Sequence, residues 1–424
     1  MKDKKRVLLQ INVVANSGST GRIAEEIGRM AQEEGWRSVI AYGRREHASQ
    51  CETLRIGSGL DILRHGLESR LLDNHGLSSR DATRKLIKQV DTLAPDIIHL
   101  HNIHGYYLNY PLLFSYLASV NIPVVWTLHD CWPFTGHCAF FDEATCARWM
   151  TECHAPCPCN RDYPKSFLSD KSERNYRVKK KYFTSVHNLH LVPVSKWLGE
   201  LTRQSFLGKF PVEVIHNGIS LDVFSRHSDT SELLVRYGLK DKHFILGVAS
   251  VWEKRKGLDD FFRLRDMLPL NEAIVIVGLS RQQIKKLPKG VIGIERTESQ
   301  EELAGWYSAA DAFVNPTYND TLPTTNIEAI ACGTPVVTYK TGGSPETIDE
   351  NTGIVVEKGD VNGLVNAIEI IKKNGKDYYS HACRQRALKH FNKDERFADY
   401  IKLYNRILTE AAIHKKSCQP HWQD

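Results

Sequence analysis

The stretch Ala312-Phe313-Val314-Asn315-Pro316-Thr317-Tyr318-Asn319-Asp320-Thr321-Leu322-Pro323-Thr324-Thr325-Asn326-Ile327-Glu328-Ala329-Ile330-Ala331-Cys332-Gly333-Thr334-Pro335-Val336-Val337 reads as strand, turn, helix and strand. Two carboxylates sit in it eight residues apart. Asp320 falls in the turn after the apolar run and Glu328 a little over one turn into a helix that opens near Pro323, so both are expected to point into the same cleft. A proline at the first helical position, with the hydroxyls of Thr324 and Thr325 and the amide of Asn326 beside it, leaves backbone N–H groups facing outward to meet an anion. A diphosphate is the natural anion, and carboxylates next to it accept hydrogen bonds from sugar hydroxyls. This is the layout of a nucleotide-sugar site.

The same pattern extends outward along the chain. Apolar runs at Val7–Val14, Ser38–Tyr42, Asp96–His101, Val124–His129, Leu189–Val194 and Val212–Ile215 alternate with helical stretches such as Arg22–Glu34. Phe244–Ala249, Ala273–Val277, Val291–Ile294, Ala312–Val314, Val336–Tyr339 and Ile354–Val356 repeat it. Continuous apolar strands joined through helices predict parallel sheets covered on both faces, hence an α/β chain of two doubly wound, Rossmann-like domains. Ligands are expected between the domains, at the carboxyl ends of the strands. The boundary is placed at 215/216, giving a first domain over 1–215 and a second over 216–392. A helix from 393 is expected to cross back to the first domain, ahead of a polar tail to 424.

With these residues in hand, the chain resembles the retaining glycosyltransferases of family 4, over Arg6 to about Phe397. Its Leu322-Pro323-Thr324-Thr325 variant and its Trp126-Thr127-Leu128-His129-Asp130 segment are most similar to the bacterial exopolysaccharide, colanic-acid type. The resemblance implies the GT-B fold, two domains facing across a cleft. It implies transfer of a sugar from a nucleoside diphosphate sugar, with UDP or GDP as the nucleotide, to a saccharide or lipid-linked saccharide hydroxyl. Asp320 stands in the place of the first glutamate of the family's paired-glutamate motif, one methylene shorter, and Glu328 in the place of the second. Lys256 matches the lysine that contacts the leaving diphosphate, but Val251 occupies the usual arginine position, so Arg255 or Lys254 is expected to supply the second cation. His129 matches the histidine that faces the transferred sugar, and Asp130 is read either as its orienting partner or as the cap of the following turn. His101 and Asn102, ending the neighbouring strand, are assigned to the acceptor side. Gly21, in the first strand–helix turn, and Gly342 and Gly343 are read as positions where backbone approaches the donor closely, or as plain turns. Together His129, Lys256, Asp320 and Glu328 form the expected catalytic set.

Composition narrows the class. Of the 424 residues, 1–220 hold 28 Lys and Arg against 22 Asp and Glu, whereas 221–424 hold 28 of each, so the net +6 lies in the first half. Such a bias fits a lipid phosphate or an anionic membrane surface, or merely a solvated face. Lys179-Lys180-Lys181, with Arg174 and Arg177, is open to the same two readings. No apolar stretch is long enough to span a bilayer, and Gln10 and Asn12 interrupt Val7–Ala15, which therefore reads as a strand and not a signal peptide. A cytoplasmic protein is expected, with possible peripheral contact at the inner membrane face and no nucleic-acid partner. There is no Asp-x-Asp triplet, which argues for catalysis without a donor-bound metal.

Cys131, Cys138, Cys146, Cys153, Cys157 and Cys159 crowd an apparent insertion over 131–165. A cytoplasmic protein seldom keeps disulfides, so a structural zinc held by Cys138, Cys146, Cys153 and Cys157 is the sharper reading, against free thiols or redox pairing. Trp132, Phe134, Phe140, Phe141 and Trp149 either meet a lipid-linked acceptor or make a local core. Two other function classes share these features: a nucleotide-sugar epimerase on the same fold, and a catalytically inactive nucleotide-binding scaffold with a zinc site.

Overall fold

A computed structural model describes residues 5–142, 144–227, 229–240, 242–269 and 271–417. The expected polar tail lies mostly outside the described residues, beyond 417. The chain forms two compact units, one of residues 1–215 with 396–424, the other of 216–395.

The first unit is built on a six-stranded, all-parallel sheet of β1 (Val7–Ala15), β2 (Arg37–Glu46), β3 (Glu52–Arg55), β4 (Ile97–Leu100), β5 (Val124–Leu128) and β6 (Leu189–Pro193). Its order is β3-β2-β1-β4-β5-β6. Side chains alternate across the sheet. Leu9 and Ile11 of β1 join the core on one face with Ile98, Leu100 and Trp126, while Leu8 joins Ile97 and Val125 on the other. The second face is closed by the C-terminal helix Lys393–Ser417, whose Phe397, Tyr400, Tyr404 and Ile407 are buried there. Tyr404 lies 5.9 Å from Trp36 ring to ring, and its hydroxyl donates to His99 Nδ1 at 2.6 Å.

The second unit repeats the scheme with β7 (Phe244–Val248), β8 (Ala273–Val277), β9 (Val291–Ile294), β10 (Ala312–Asn315), β11 (Val336–Tyr339) and β12 (Gly353–Val356), all parallel, in the order β12-β11-β10-β7-β8-β9. In each sheet the strand order reverses beside the first strand, between β1 and β4 and between β7 and β10. A crevice opens at the carboxyl ends of the strands where such a reversal occurs.

One expected strand is replaced by another. Val212–Ile215 pairs with β6 only through an isolated bridge, Leu191 to Val212. The sixth strand is Glu52-Thr53-Leu54-Arg55, a mostly exposed edge whose polar residues carry no apolar run.

Candidate active site

In the second unit the sequence motifs meet at the switch point between β7 and β10. The loop after β7 ends in a single turn, Lys254–Lys256, and Gly257 follows at φ +74. A Cβ on Gly257 would lie 2.1 Å from the Pro316 carbonyl oxygen, so glycine alone lets this loop lie against the end of β10. The Arg255 carbonyl accepts from the Tyr318 N–H at 2.7 Å, and Arg255 Nη1 donates to the Asn319 carbonyl at 3.1 Å. Lys256 Nζ then reaches Asp320 Oδ2 at 2.5 Å. Both side chains are only partly exposed, at 20 and 17%, so the attraction is less screened than at an open surface.

Gly342 closes the other side of Asp320. Its φ is +51, a Cβ there would stand 1.8 Å from the Asp320 carbonyl oxygen, and the Gly343 N–H donates to that oxygen at 3.2 Å. The Gly-Gly loop, the Lys-Gly turn and the carboxylate are thus one contiguous structure. Helix Thr324–Ala331 starts three residues beyond Thr321, with Pro323 as its N-cap instead of its first helical residue. Its first N–H groups lack partners within the helix. Thr324 and Thr325 are half-buried there, whereas Asn326 is fully buried, accepting from Asn315 Nδ2 at 2.7 Å and donating to Thr347 at 3.0 Å. Asn326 therefore holds the helix against β10 and does not present its side chain. Glu328 Oε2 accepts from the Tyr307 hydroxyl at 3.0 Å. Burial, reinforced by that carboxylate, pushes the Tyr307 phenol well up, so it stays a donor. Val251, at the family's arginine position, is 60% exposed.

In the first unit a polar chain runs through the sheet. Gln10 is fully buried in β1, and its Nε2 donates to the Ala24 carbonyl at 2.7 Å, which aims its Oε1 at His101 Nε2, 3.0 Å away. His101 Nε2 must then carry the proton, leaving Nδ1 to accept from His129 Nε2 at 3.2 Å. His101 is buried with both nitrogens used, so it has none left to offer a ligand and bears on its surroundings through His129. His129, half-buried just past β5, keeps Nδ1 as its acceptor nitrogen. Burial pushes it down to about 4 against a smaller opposing pull from Asp130. Asp130 itself accepts from the Trp132 N–H at 2.9 Å and pairs with His104 Nε2 at 2.9 Å, which favours the turn-capping reading. Asn102 is half-buried and its N–H donates to Asn12 Oδ1 at 3.3 Å. Gly21 lies within helix Gly18–Glu33, where an added Cβ would meet Val14 Cγ2 at 3.0 Å, so it serves helix-to-strand packing.

Gln10 and His104 are the positions that sequence reading missed. For Gln10 the available signal was a polar side chain inside a strand buried on both faces, which is kept only where it has a partner; His104, in the loop after β4, carried no such signal. Gln10→Leu is expected to lower kcat about 10-fold while leaving the affinity for a nucleoside diphosphate unchanged, because it frees His101 to rotate and so loosens His129. Titration calorimetry beside steady-state rates separates the two; a parallel loss of nucleotide binding contradicts the role.

The buried imidazoles also set a pH limit. His65 accepts the Gly76 N–H on Nε2 at 3.0 Å and is held down to about 4 by burial, as is His129. Between about pH 6.5 and 4 the unfolded chain takes up protons that these folded-state imidazoles refuse, so their contribution is complete above about 6.5 and is lost as pH falls. Melting of the first unit should drop steadily from pH 7 to pH 5; a flat profile contradicts it.

In the cysteine-rich segment the nine cysteines among the described residues are free thiols. Among the described residues no three His, Cys, Asp or Glu side chains form a ready-made metal position. Cys138, Cys146, Cys153 and Cys157 do line one small cavity together with His137. Trp132, Phe134, Phe141 and Trp149 are buried in the core of the first unit, so they answer to the local-core reading. Lys179 is buried too, its ammonium donating to the Trp132 and Thr135 carbonyls at 2.6 and 3.0 Å, so Lys179–Lys181 is not one basic face.

Comparison with known proteins bears on the family and the fold. Residues 20–223 match the Glycosyltransferase Family 4 model and residues 242–374 the Glycosyl transferases group 1 model. The putative colanic acid biosynthesis glycosyl transferase WcaC of Escherichia coli (strain K12) is 24% identical over 378 residues, 84% of this chain and 89% of that protein. Among solved structures, sucrose-phosphate synthase (tll1590) from Thermosynechococcus elongatus superposes with a TM-score of 0.73 at 19% identity, covering 96% of this chain and all of that one. Anabaena Alr3699/HepE in complex with UDP and glucose superposes at 0.65 with 15% identity, covering 95% of this chain and 100% of that one.

Proposed function

The chain belongs to the family 4 glycosyltransferases and has the GT-B fold, and on that footing we propose that it moves a sugar from a nucleoside diphosphate sugar, with retention, to a hydroxyl of a lipid-linked saccharide in bacterial surface polysaccharide synthesis. The observation that carries this reading is the unit formed by Lys256, Asp320, Gly342 and Gly343 at the switch point of the second sheet. The helix Thr324–Ala331 whose N-terminus would seat the diphosphate begins just beyond Asp320, the partner of the Lys256 ammonium. That cation and the helix N–H groups stabilise the charge that grows as the bond from the sugar's anomeric carbon to the phosphate oxygen breaks. The acceptor oxygen bonds to the same face of that carbon and passes its proton to the departing phosphate oxygen. Asp320 and Glu328 hold sugar hydroxyls. None of these steps asks for a catalytic metal. HepE, of the same fold, has been crystallised with UDP and glucose, so a UDP-sugar is the first donor to test, ahead of a GDP-sugar.

Thermal unfolding with UDP, GDP, ADP and CMP tests the donor half of the reading. A nucleotide at a hundred times its dissociation constant stabilises the fold by about 2.7 kcal/mol. One nucleotide should raise the melting temperature as well in chelator as without it, and no response to any of them contradicts the reading.

The lipid-linked acceptor and a place at the inner membrane face rest on a separate observation. Helix Gly59–Leu72 presents Leu60, Leu63 and Leu67 to solvent at 78, 70 and 58% exposure, one helical stripe. Phe167 and Leu168 are exposed at its C-terminal end, where the Phe167 N–H donates to the Arg70 carbonyl at 2.7 Å. Arg64 is 83% exposed on the same helix, and the Arg161 guanidinium lies 5.5 Å from the Phe167 ring centroid. The leucines and Phe167, flanked by Arg161 and by Arg64, which pairs with Glu68 at 2.8 Å, suit a lipid surface, since each leucine moved out of water contributes up to about 2 kcal/mol. Among the described residues no helix is long and apolar enough to cross a membrane. The protein should co-sediment with vesicles containing anionic lipid, and Leu60→Glu/Leu63→Glu/Leu67→Glu should abolish this without changing nucleotide binding. Sedimentation of the triple variant at the wild-type level rules the surface out.

A further inference from the structure

We propose that the segment between β5 and helix Ser172–Phe183 binds one zinc ion through the thiolates of Cys138, Cys146, Cys153 and Cys157, as a structural cross-link. From Cys131 to Lys171 the described residues contain neither strand nor α-helix, only the single turns Trp132–Phe134 and Arg148–Met150. A stretch that long with turns but no strand or α-helix is uncommon inside a compact domain unless something else fixes it. The four cysteines are spread from position 138 to position 157 of this stretch, yet they line one cavity of about 10 Å³. That is room for one water molecule or one ion and for no organic ligand.

Two features around the cavity point to an ion. His137 lines it with the thiols; its Nδ1 lies 2.8 Å from Asp73 Oδ1, both side chains are 1% exposed, and its Nε2 is buried without a hydrogen-bond partner. A buried ring nitrogen is seldom left so. Its Nδ1–H is given to Asp73, so Nε2 presents a lone pair that a cation in the cavity satisfies, and a carboxylate behind a histidine is a usual outer layer of a metal site. The second feature is charge. Four thiolates around Zn²⁺ carry a net −2, and a buried charge needs compensation. The buried Lys179 donates to the Trp132 and Thr135 carbonyls; burial disfavours its charged form, and thiolates at Cys138 and Cys153 favour it. The Gly136 N–H already donates to Cys153 Sγ at 3.2 Å. Cys131 and Cys159 do not line the cavity. As the chain stands the donors do not converge on one point, so the ion draws the thiols inward, and each releases its proton to solvent on binding.

Metal analysis of the full-length protein purified under reducing conditions tests the assignment. It should return about one zinc per chain. Cys153→Ser/Cys157→Ser should fall to background, while Cys131→Ser and Cys159→Ser keep the ion. Because the double variant could fail to fold, Co²⁺ titration of the metal-stripped wild-type chain provides the second readout: thiolate-to-cobalt charge-transfer bands and tetrahedral d–d bands should rise together and saturate near one equivalent. A folded wild-type chain with less than about a tenth of an equivalent of zinc and no such bands overturns the proposal. So does mass spectrometry showing Cys138 joined to Cys157 or Cys159 in a disulfide.

Discussion

Lys256→Ala is expected to lower kcat about 10²–10³-fold, the usual consequence of removing one preorganised group that stabilises developing negative charge. Nucleotide affinity should fall much less, because the helix N-terminus and the Gly-Gly loop remain. The position of the ammonium makes this prediction specific. It is placed by Gly257, which allows the Lys-Gly turn to lie against Pro316, and it sits 2.5 Å from Asp320 Oδ2. The two charges are therefore coupled, and the variant also leaves Asp320 without its cation. Asp320→Asn removes the attraction from the other side. A double-mutant cycle over Lys256→Ala and Asp320→Asn should show strong non-additivity, the pair losing far less than the product of the single losses. Strict additivity would mean that the two side chains act on separate parts of the donor. If Lys256→Ala keeps wild-type kcat, the diphosphate is not held at this turn.

Gly342→Ala should be nearly as damaging by a different route. The added methyl would stand 1.8 Å from a carbonyl oxygen of the backbone, where no side-chain rotation relieves it, and φ +51 already disfavours any residue with a Cβ. The loop has to back away from Asp320, which costs the Gly343 hydrogen bond and moves the carboxylate. About 1–3 kcal/mol of stability should be lost in the second unit. Nucleotide-dependent stabilisation should shrink with it, measured as the change in melting temperature on adding the cognate diphosphate. Gly238→Ala is a fair control, since that glycine also has a positive φ, +64, but nothing lies within 4 Å of its added Cβ. Equal loss of nucleotide response in both variants contradicts the argument from close approach.

How much of this was legible beforehand depended on whether the signal was local. The buried parallel strands announced themselves as apolar runs because both faces of each sheet are covered. β3 did not, because an edge strand with three exposed side chains has no such run. Asp320, Lys256, Gly342 and Gly343 could be named from motifs, but their mutual contact arises from loops 64 and 22 residues apart that only the strand order brings together. The Gln10–His101–His129 chain was visible only as an interruption of an apolar strand; its partner lies 91 residues away. Lys179 misled in the opposite direction, since a run of three lysines reads as a solvated face and one of them is a buried core cation.

The stereochemistry and balance of one reaction decide whether the chain is a retaining transferase. The wild-type protein, incubated in chelator with an α-linked nucleoside diphosphate sugar of the class identified by thermal unfolding and with a lipid-linked saccharide, should release one nucleoside diphosphate for each new glycosidic bond, and proton NMR of the product should show the α anomer. A β-linked product, an epimerised sugar with no acceptor consumed, or nucleotide binding with no turnover contradicts that reading.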